Sequence, residues 1–108
     1  MVLNFKLEYS GRFDNDITNI RNYISDVLKN PLSAAEKISR IMLAAESLKF
    51  FPKLYRVRGR DSQRNEIRIL PVDNYLILYS VDDEKQIVNV SRVIYGRKNI
   101  HLLFAPEY

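Results

Sequence analysis

The chain has 108 residues with no cysteine, and its only histidine is His101. Without cysteine it can form no disulfide, no thiolate metal site and no thiol nucleophile. A single histidine also excludes a metal centre built from several imidazoles, so any metal chemistry would have to rest on carboxylates alone. We therefore expect neither a bound metal nor a cofactor.

The sequence also lacks long apolar runs. None approaches the roughly 18 residues that a membrane-spanning helix requires, and Met1 to Lys6 lacks the basic-then-apolar order of a signal peptide. We therefore expect a cytoplasmic protein without a membrane partner. A composition of 46% hydrophobic and 28% charged residues is that of an average soluble protein. The length suits one modest core, which predicts a single domain over residues 1–108.

Positive charge is concentrated in one stretch of the chain. The formal net charge is +4 and the pI is about 9.4. Within residues 53–68 only Asp61 and Glu66 are acidic, and the basic residues are Lys53, Arg56, Arg58, Arg60, Arg64 and Arg68. Such a cluster attracts a polyanion or an acidic protein. A solvated, highly charged hairpin turn explains the same residues equally well.

The first half of the chain reads as one strand and two helices. Alternation around Phe5 predicts a strand from about Val2 to Glu8. A helix capped by Ser10 follows, and its apolar stripe consists of Phe13, Ile17, Ile20, Ile24 and Val27. Asn30 and Pro31 open a second helix, whose stripe is Ala34, Ile38, Ile41, Ala45 and Leu48. The short connection predicts an antiparallel helical hairpin.

The second half has the period of two that is typical of strands. Four strands are predicted, near residues 54–60, 66–70, 75–81 and 87–95, with turns at 59–65, 71–74 and 82–86. The third of these is apolar on both faces, which places it at the centre of a sheet. The predicted order is β-α-α-β-β-β-β, an α+β fold with the helical hairpin on one face of a small, mainly antiparallel, twisted sheet.

The other face of that sheet is the candidate site. It is predicted to carry Arg56, Arg58 or Arg68 together with Arg92 and Arg97, depending on a strand register that the sequence does not fix. Arg92 has a second interpretation, as the partner of an acidic residue in the first helix. Tyr75 and Tyr79 are interpreted as core residues with hydrogen-bonded hydroxyls.

These segments, in this order, resemble the RelE/ParE superfamily of toxins from bacterial type II toxin–antitoxin systems, the plasmid stabilisation protein type. The resemblance rests on Tyr9-Ser10 before helix one, Asn30-Pro31, Leu48 to Pro52, Asn74 to Tyr79, and Val90 to Arg97. It implies a small cytoplasmic toxin whose cognate antitoxin wraps it and blocks its active face. A toxin–antitoxin hetero-oligomer is a further implication.

The resemblance leaves two targets open. One group of these toxins cleaves ribosome-bound mRNA with basic side chains, and the matching positions would make Arg56, Arg58, Arg68 and Arg97 catalytic. Two catalytic positions of that group fall here on Leu76 and near Leu103 or Phe104, which lack the required groups. The other group poisons DNA gyrase, and the segment from Val93 to Ile100 matches it best. We narrowly favour gyrase, with the mRNA interferase as the alternative and a non-toxic binding module of the same fold as the third.

Target or antitoxin binding is assigned to eight residues of the strands and the tail. His101 could be a general base, because its ordinary pKa is near neutrality, or a plain surface residue. The eight residues are Arg56, Arg58, Arg68, Arg92, Tyr95, Arg97, Lys98 and His101.

Overall fold

The structure is a computed structural model that describes residues 4–96. It contains five strands and two helices, each helix extended by a short irregular turn. The strands are β1 (Lys6–Tyr9), β2 (Val57–Arg60), β3 (Glu66–Val72), β4 (Tyr75–Asp82) and β5 (Ile87–Tyr95). The helices are α1 (Gly11–Asn22), followed by a π-helical turn (Tyr23–Val27), and α2 (Pro31–Glu46), followed by a 3-10 turn (Ser47–Lys49).

The five strands form one sheet in the order β1-β5-β4-β3-β2. The β1–β5 pair is parallel and the other three pairs are antiparallel. The predicted α+β fold is confirmed, and β4 is the central strand, as its apolar sequence indicated. Both helices pack on the same face of the sheet, because their buried residues join one core cluster with residues of β3, β4 and β5.

Each helix begins where the capping residues predicted. The Ser10 Oγ accepts a hydrogen bond from the Phe13 N–H at 3.0 Å, and the Asn30 Oδ1 accepts one from the Ser33 N–H at 3.2 Å. The predicted stripe of α2 is buried throughout. The stripe of α1 holds as far as Ile24, but Val27 is 63% exposed, so its assignment to that stripe was wrong. The π-helical turn takes more residues per turn than an α-helix and rotates Val27 out of phase.

The turn between β3 and β4 is shorter than predicted. Pro71 and Val72 belong to β3, paired with Leu76 and Tyr75, which leaves only Asp73 and Asn74 between the strands. Proline is tolerated there because β2 pairs with β3 only as far as Arg68. Beyond that point no strand within residues 4–96 pairs with β3 on that side, so the missing N–H of proline costs no bond between these strands.

Both faces of the central sheet are apolar. The helix-side cluster contains three of the largest fully buried side chains, Phe13, Ile41 and Tyr79. A second cluster lies on the opposite face and is only 3 to 5% exposed; it consists of Ile67, Ile69, Leu76 and Leu78, with Ile94 packed against it. The face opposite the helices is therefore apolar at its centre, not lined by arginine.

Candidate functional site

Arg68 lies on the face of the sheet that the helices cover. It stands opposite Tyr79, which belongs to the helix-side core and is fully buried. Its guanidinium donates a hydrogen bond to the Tyr55 carbonyl oxygen. The prediction of an open basic face is therefore wrong for Arg68. The neighbouring isoleucines, Ile67 and Ile69, take the opposite face, and alternation alone does not say which set the helices cover.

Arg92 is held by an acidic residue of helix α1. Its Nε and Nη2 donate to the Asp16 carboxylate at 2.7 and 3.1 Å, and the two side chains are only 23% and 14% exposed. The hydrogen bond to Asp16 raises the pKa of Arg92, against the effect of burial. Of the two interpretations of Arg92, the geometry matches the structural ion pair with helix one.

A basic edge remains where the sheet ends at β2. We use this name for Arg56, Arg58 and Arg64, which are exposed and have no ion-pair partner among residues 4–96. The other cations of the stretch are engaged: Lys53 binds Asp83 at 2.7 Å and Arg60 lies 3.5 Å from Glu66. The register shifts between Val57 and Gly59, so Arg58 stands at a β-bulge. Bulges at sheet edges commonly redirect a side chain.

The basic edge is suited to binding anions. Arginine stays protonated at all ordinary pH values and matches carboxylate and phosphate groups through paired N–H donors. The nearest acidic side chain on the neighbouring strand, Glu66, faces Arg60. The Tyr79 hydroxyl is a poor general acid or base near neutral pH, because burial raises its pKa to about 12. The described part of the site is thus equipped for recognition.

A cleft of about 640 Å³ opens at another place, beside the end of β5. Tyr95 lines it and is 71% exposed, with its ring edge-on to Tyr75 at 5.3 Å between centroids. Lys37 also lines it, 5.9 Å from the Tyr75 ring centroid. The sequence predicted Tyr95 as a binding residue but missed the cleft, since the π-helical turn that brings Tyr23 to its wall leaves no clear periodic signal.

Three of the predicted site residues, Arg97, Lys98 and His101, lie outside the described residues. Within residues 4–96, no group of three histidine, aspartate or glutamate side chains is close enough to hold a metal ion. In the same range, no helix is both long and apolar enough to cross a membrane.

The fold has close counterparts among solved structures. A chain of the chromosomal ParDE toxin–antitoxin system of P. aeruginosa superposes with a TM-score of 0.69 at 17% identity, covering 86% of this chain and 97% of that one. A chain of the RelBE2 toxin–antitoxin complex of Mycobacterium tuberculosis gives 0.60 at 17% identity, with 88% and 94% covered. A chain of the archaeal RelE-RelB complex of Pyrococcus horikoshii also gives 0.60, at 9% identity, with 88% and 98% covered.

At these identities the superpositions establish the fold, and the family follows from the sequence itself. No curated protein sequence matches the chain. The family model described as "ParE toxin of type II toxin-antitoxin system, parDE" matches residues 7–100, which is most of its length. The chain belongs to the ParE toxin family of type II toxin–antitoxin systems.

Proposed function

We propose that this toxin arrests growth by poisoning DNA gyrase and that a cognate antitoxin neutralises it. The family match over residues 7–100 supports the toxin class. The solved relatives are described as toxin–antitoxin systems or complexes, which supports a partner of the same kind here. The chain would then be cytoplasmic, since gyrase and the antitoxin are met there.

The observation that carries the choice of gyrase is what the structure has at two of the expected catalytic positions, Arg68 and Leu76. Cleavage of mRNA by basic side chains requires several of them to converge on one phosphate. Arg68 instead contacts the Tyr55 carbonyl on the helix-covered face, and Leu76 is a buried apolar residue at the position where the nucleases have an arginine. These placements favour a toxin that acts by binding a protein.

The basic edge is the surface that we assign to this binding. Arg56 and Arg58 are exposed and unpaired within residues 4–96, so no internal ion pair has to be broken when they meet an acidic partner. β2 is also one of the two outermost strands, and among residues 4–96 no further strand pairs with its outer side. The cleft beside Tyr95 offers a second, more apolar contact for the antitoxin or the target.

Cleavage of ribosome-bound mRNA is the second candidate. One observation favours it: Arg56 and Arg58 are both exposed, two residues apart at the start of the edge strand β2, and match the paired basic positions of the nuclease group. In that reading they would hold phosphates, and Arg97 and Arg68 would complete the catalytic set. The hydrogen bond that engages the Arg68 guanidinium and the apolar side chain of Leu76 stand against it.

Induction of the chain in growing cells tests the proposal. We expect growth arrest, together with loss of plasmid supercoiling before messenger levels fall. Arg56→Ala/Arg58→Ala should relieve the arrest. The matched control is Arg12→Ala/Arg21→Ala, which removes the same charge from two exposed residues of α1. Early messenger cleavage with normal supercoiling would support the interferase, and the absence of any arrest would support the non-toxic binding module.

Co-expression tests the partner. The reading frame beside this gene should encode a short protein that binds the chain and restores growth. Relief of the arrest by that protein, without a fall in the amount of toxin, is the expected result. A neighbouring protein that neither binds the chain nor relieves the arrest would contradict the assignment of a cognate antitoxin.

A further inference from the structure

The outward side of α2 carries two large apolar residues that are open to solvent. Leu32 is 70% exposed and Leu43 is 68% exposed. Together with Glu36 and Ser39 they are spaced four, three and four residues apart, which places all four on one line along the helix. We name these four residues the outer stripe. It lies opposite the buried stripe that contains Ile38 and Ile41.

We propose that a second copy of this chain docks on the outer stripe, with the two α2 helices antiparallel about a twofold axis. In that arrangement Leu32 of each copy meets Leu43 of the other, and Glu36 meets Ser39. A twofold interface uses the same patch on both copies, so the patch must complement itself. The outer stripe does so only in the antiparallel direction, because in a parallel pair Glu36 of one copy would face Glu36 of the other.

The charges beside the outer stripe support the same direction. Glu36 is exposed and makes no ion pair with any residue in the range 4–96. Arg40 has a side chain that is 64% exposed and binds Asp73 through Nη1 alone, at 3.0 Å. In the antiparallel pair Arg40 of one copy lies beside Glu36 of the other. The symmetry forms this opposite-charge contact twice.

Further apolar residues lie near both ends of α2. Leu28 precedes it and is 56% exposed, and Phe50 follows it and is 53% exposed. An antiparallel pair brings the start of one α2 beside the end of the other, so these residues extend the apolar contact. With 16 residues, α2 is about 24 Å long at roughly 1.5 Å per residue. Because the contact is confined to one helix of each copy and the residues at its ends, we expect a weak dimer, concentration-dependent in roughly the micromolar range.

Sedimentation velocity of the full chain over a range of concentrations tests the dimer. The wild type should pass from monomer to dimer as concentration rises. Leu43→Ser should weaken the dimer at least about tenfold, whereas Leu54→Ser, a change at a leucine outside α2 that is 69% exposed, should leave it unchanged. A wild type that stays monomeric up to about 0.5 mM, in the range of weak complexes, would overturn the proposal.

A charge exchange tests the orientation. Glu36→Arg and Arg40→Glu should each abolish self-association, because in either variant both symmetry-related contacts between positions 36 and 40 join like charges. An equimolar mixture of the two variants should form a heterodimer, since every contact then joins opposite charges. Circular dichroism is the check that Arg40→Glu, which loses the Asp73 contact, remains folded. A mixture of folded variants that remains monomeric would refute the antiparallel contact. This test does not depend on the target of the toxin, so the dimer proposal can fail while the proposed function stands.

Discussion

Asp16 on helix α1 and Arg92 on strand β5 form an ion pair that fastens the helix to the sheet. The residues are 76 positions apart, and the Asp16 carboxylate also accepts the Val93 N–H at 3.1 Å. That N–H is available because β1 pairs with β5 only as far as Val90. One side chain therefore neutralises a partly buried cation and occupies an otherwise open edge of the sheet.

Loss of this pair should cost much of the stability of a domain of this size. We expect Asp16→Ala to lower the free energy of unfolding by about 2 kcal/mol, because it leaves the Arg92 guanidinium and the Val93 N–H without their partner. Asp14→Ala is the control, with a loss of about 0.5 kcal/mol, since Asp14 is exposed and only favours the helix dipole. Urea unfolding measures both. Equal losses for the two variants would contradict the role given to Asp16.

Tyr79 carries a buried hydroxyl at the centre of the sheet. Its side chain is fully buried, and its oxygen has no hydrogen bond of acceptable geometry within the described chain, although the Tyr55 backbone lies near. The Tyr55 backbone is the candidate partner for the hydrogen bond that was expected at Tyr79. An unpaired buried hydroxyl costs free energy, so Tyr79→Phe should leave stability unchanged or raise it by about 1 kcal/mol. A loss of about 1 kcal/mol or more would reveal a hydrogen bond at that oxygen.

The same residue predicts how stability depends on alkaline pH. Burial raises the pKa of Tyr79 to about 12, whereas in the unfolded chain it ionises near 10. The unfolded state loses this proton first, so the contribution of Tyr79 is complete below about pH 10 and is lost as pH rises towards 12. Between these two pH values, the melting temperature of Tyr79→Phe should therefore fall less steeply with rising pH than that of the wild type. Identical pH profiles would contradict the raised pKa.

The turn residue Asp73 predicts how stability changes at acidic pH. It lies in the β3–β4 turn at φ 54°, and the Lys37 ammonium donates to its carboxylate at 2.8 Å. That hydrogen bond, with the charges of Lys37 and Arg40, holds the pKa of Asp73 below its ordinary value. Its contribution to stability is therefore present above the unfolded pKa, near 3.9, and is lost as pH falls through the lower folded pKa.

Asp73→Asn tests this dependence without disturbing the turn, because asparagine also adopts positive φ readily. The variant should have a lower melting temperature than the wild type at pH 7. The two should converge as the solution is acidified below the folded pKa of Asp73. A gap that stays constant across that range would show that the carboxylate charge is not what stabilises the turn.

The parts of the fold that the sequence predicted are those with one dominant period. The stripe of α2, capped at Asn30 and with Pro31 at its first position, is buried as expected. At Val27 the π-helical turn broke the period, and it left no mark in the residue types. Around Arg68 the predicted alternation was correct, but the two faces were assigned the wrong way round. Ile67 and Ile69 form an apolar cluster on the face away from the helices. A sheet that is apolar on both faces does not indicate which side the helices take.

The site was predicted less completely than the fold. Arg92 was given two interpretations, one of them a partner in helix one, but the sequence did not single out Asp16 as that partner. The sequence also did not indicate that Arg56 and Arg58 lie in or just before β2, one of the two edge strands of the sheet. Strand order depends on contacts between distant segments, and periodicity within one segment carries no information about it.

The most direct test of the central claim uses the purified chain in two assays side by side. One follows supercoiling of relaxed plasmid DNA by gyrase, and the other follows the integrity of mRNA in a translating extract. We predict that the wild type blocks supercoiling and leaves mRNA intact, and that Arg56→Ala/Arg58→Ala loses the block while Arg12→Ala/Arg21→Ala keeps it. Undisturbed supercoiling together with cleaved mRNA would contradict the account.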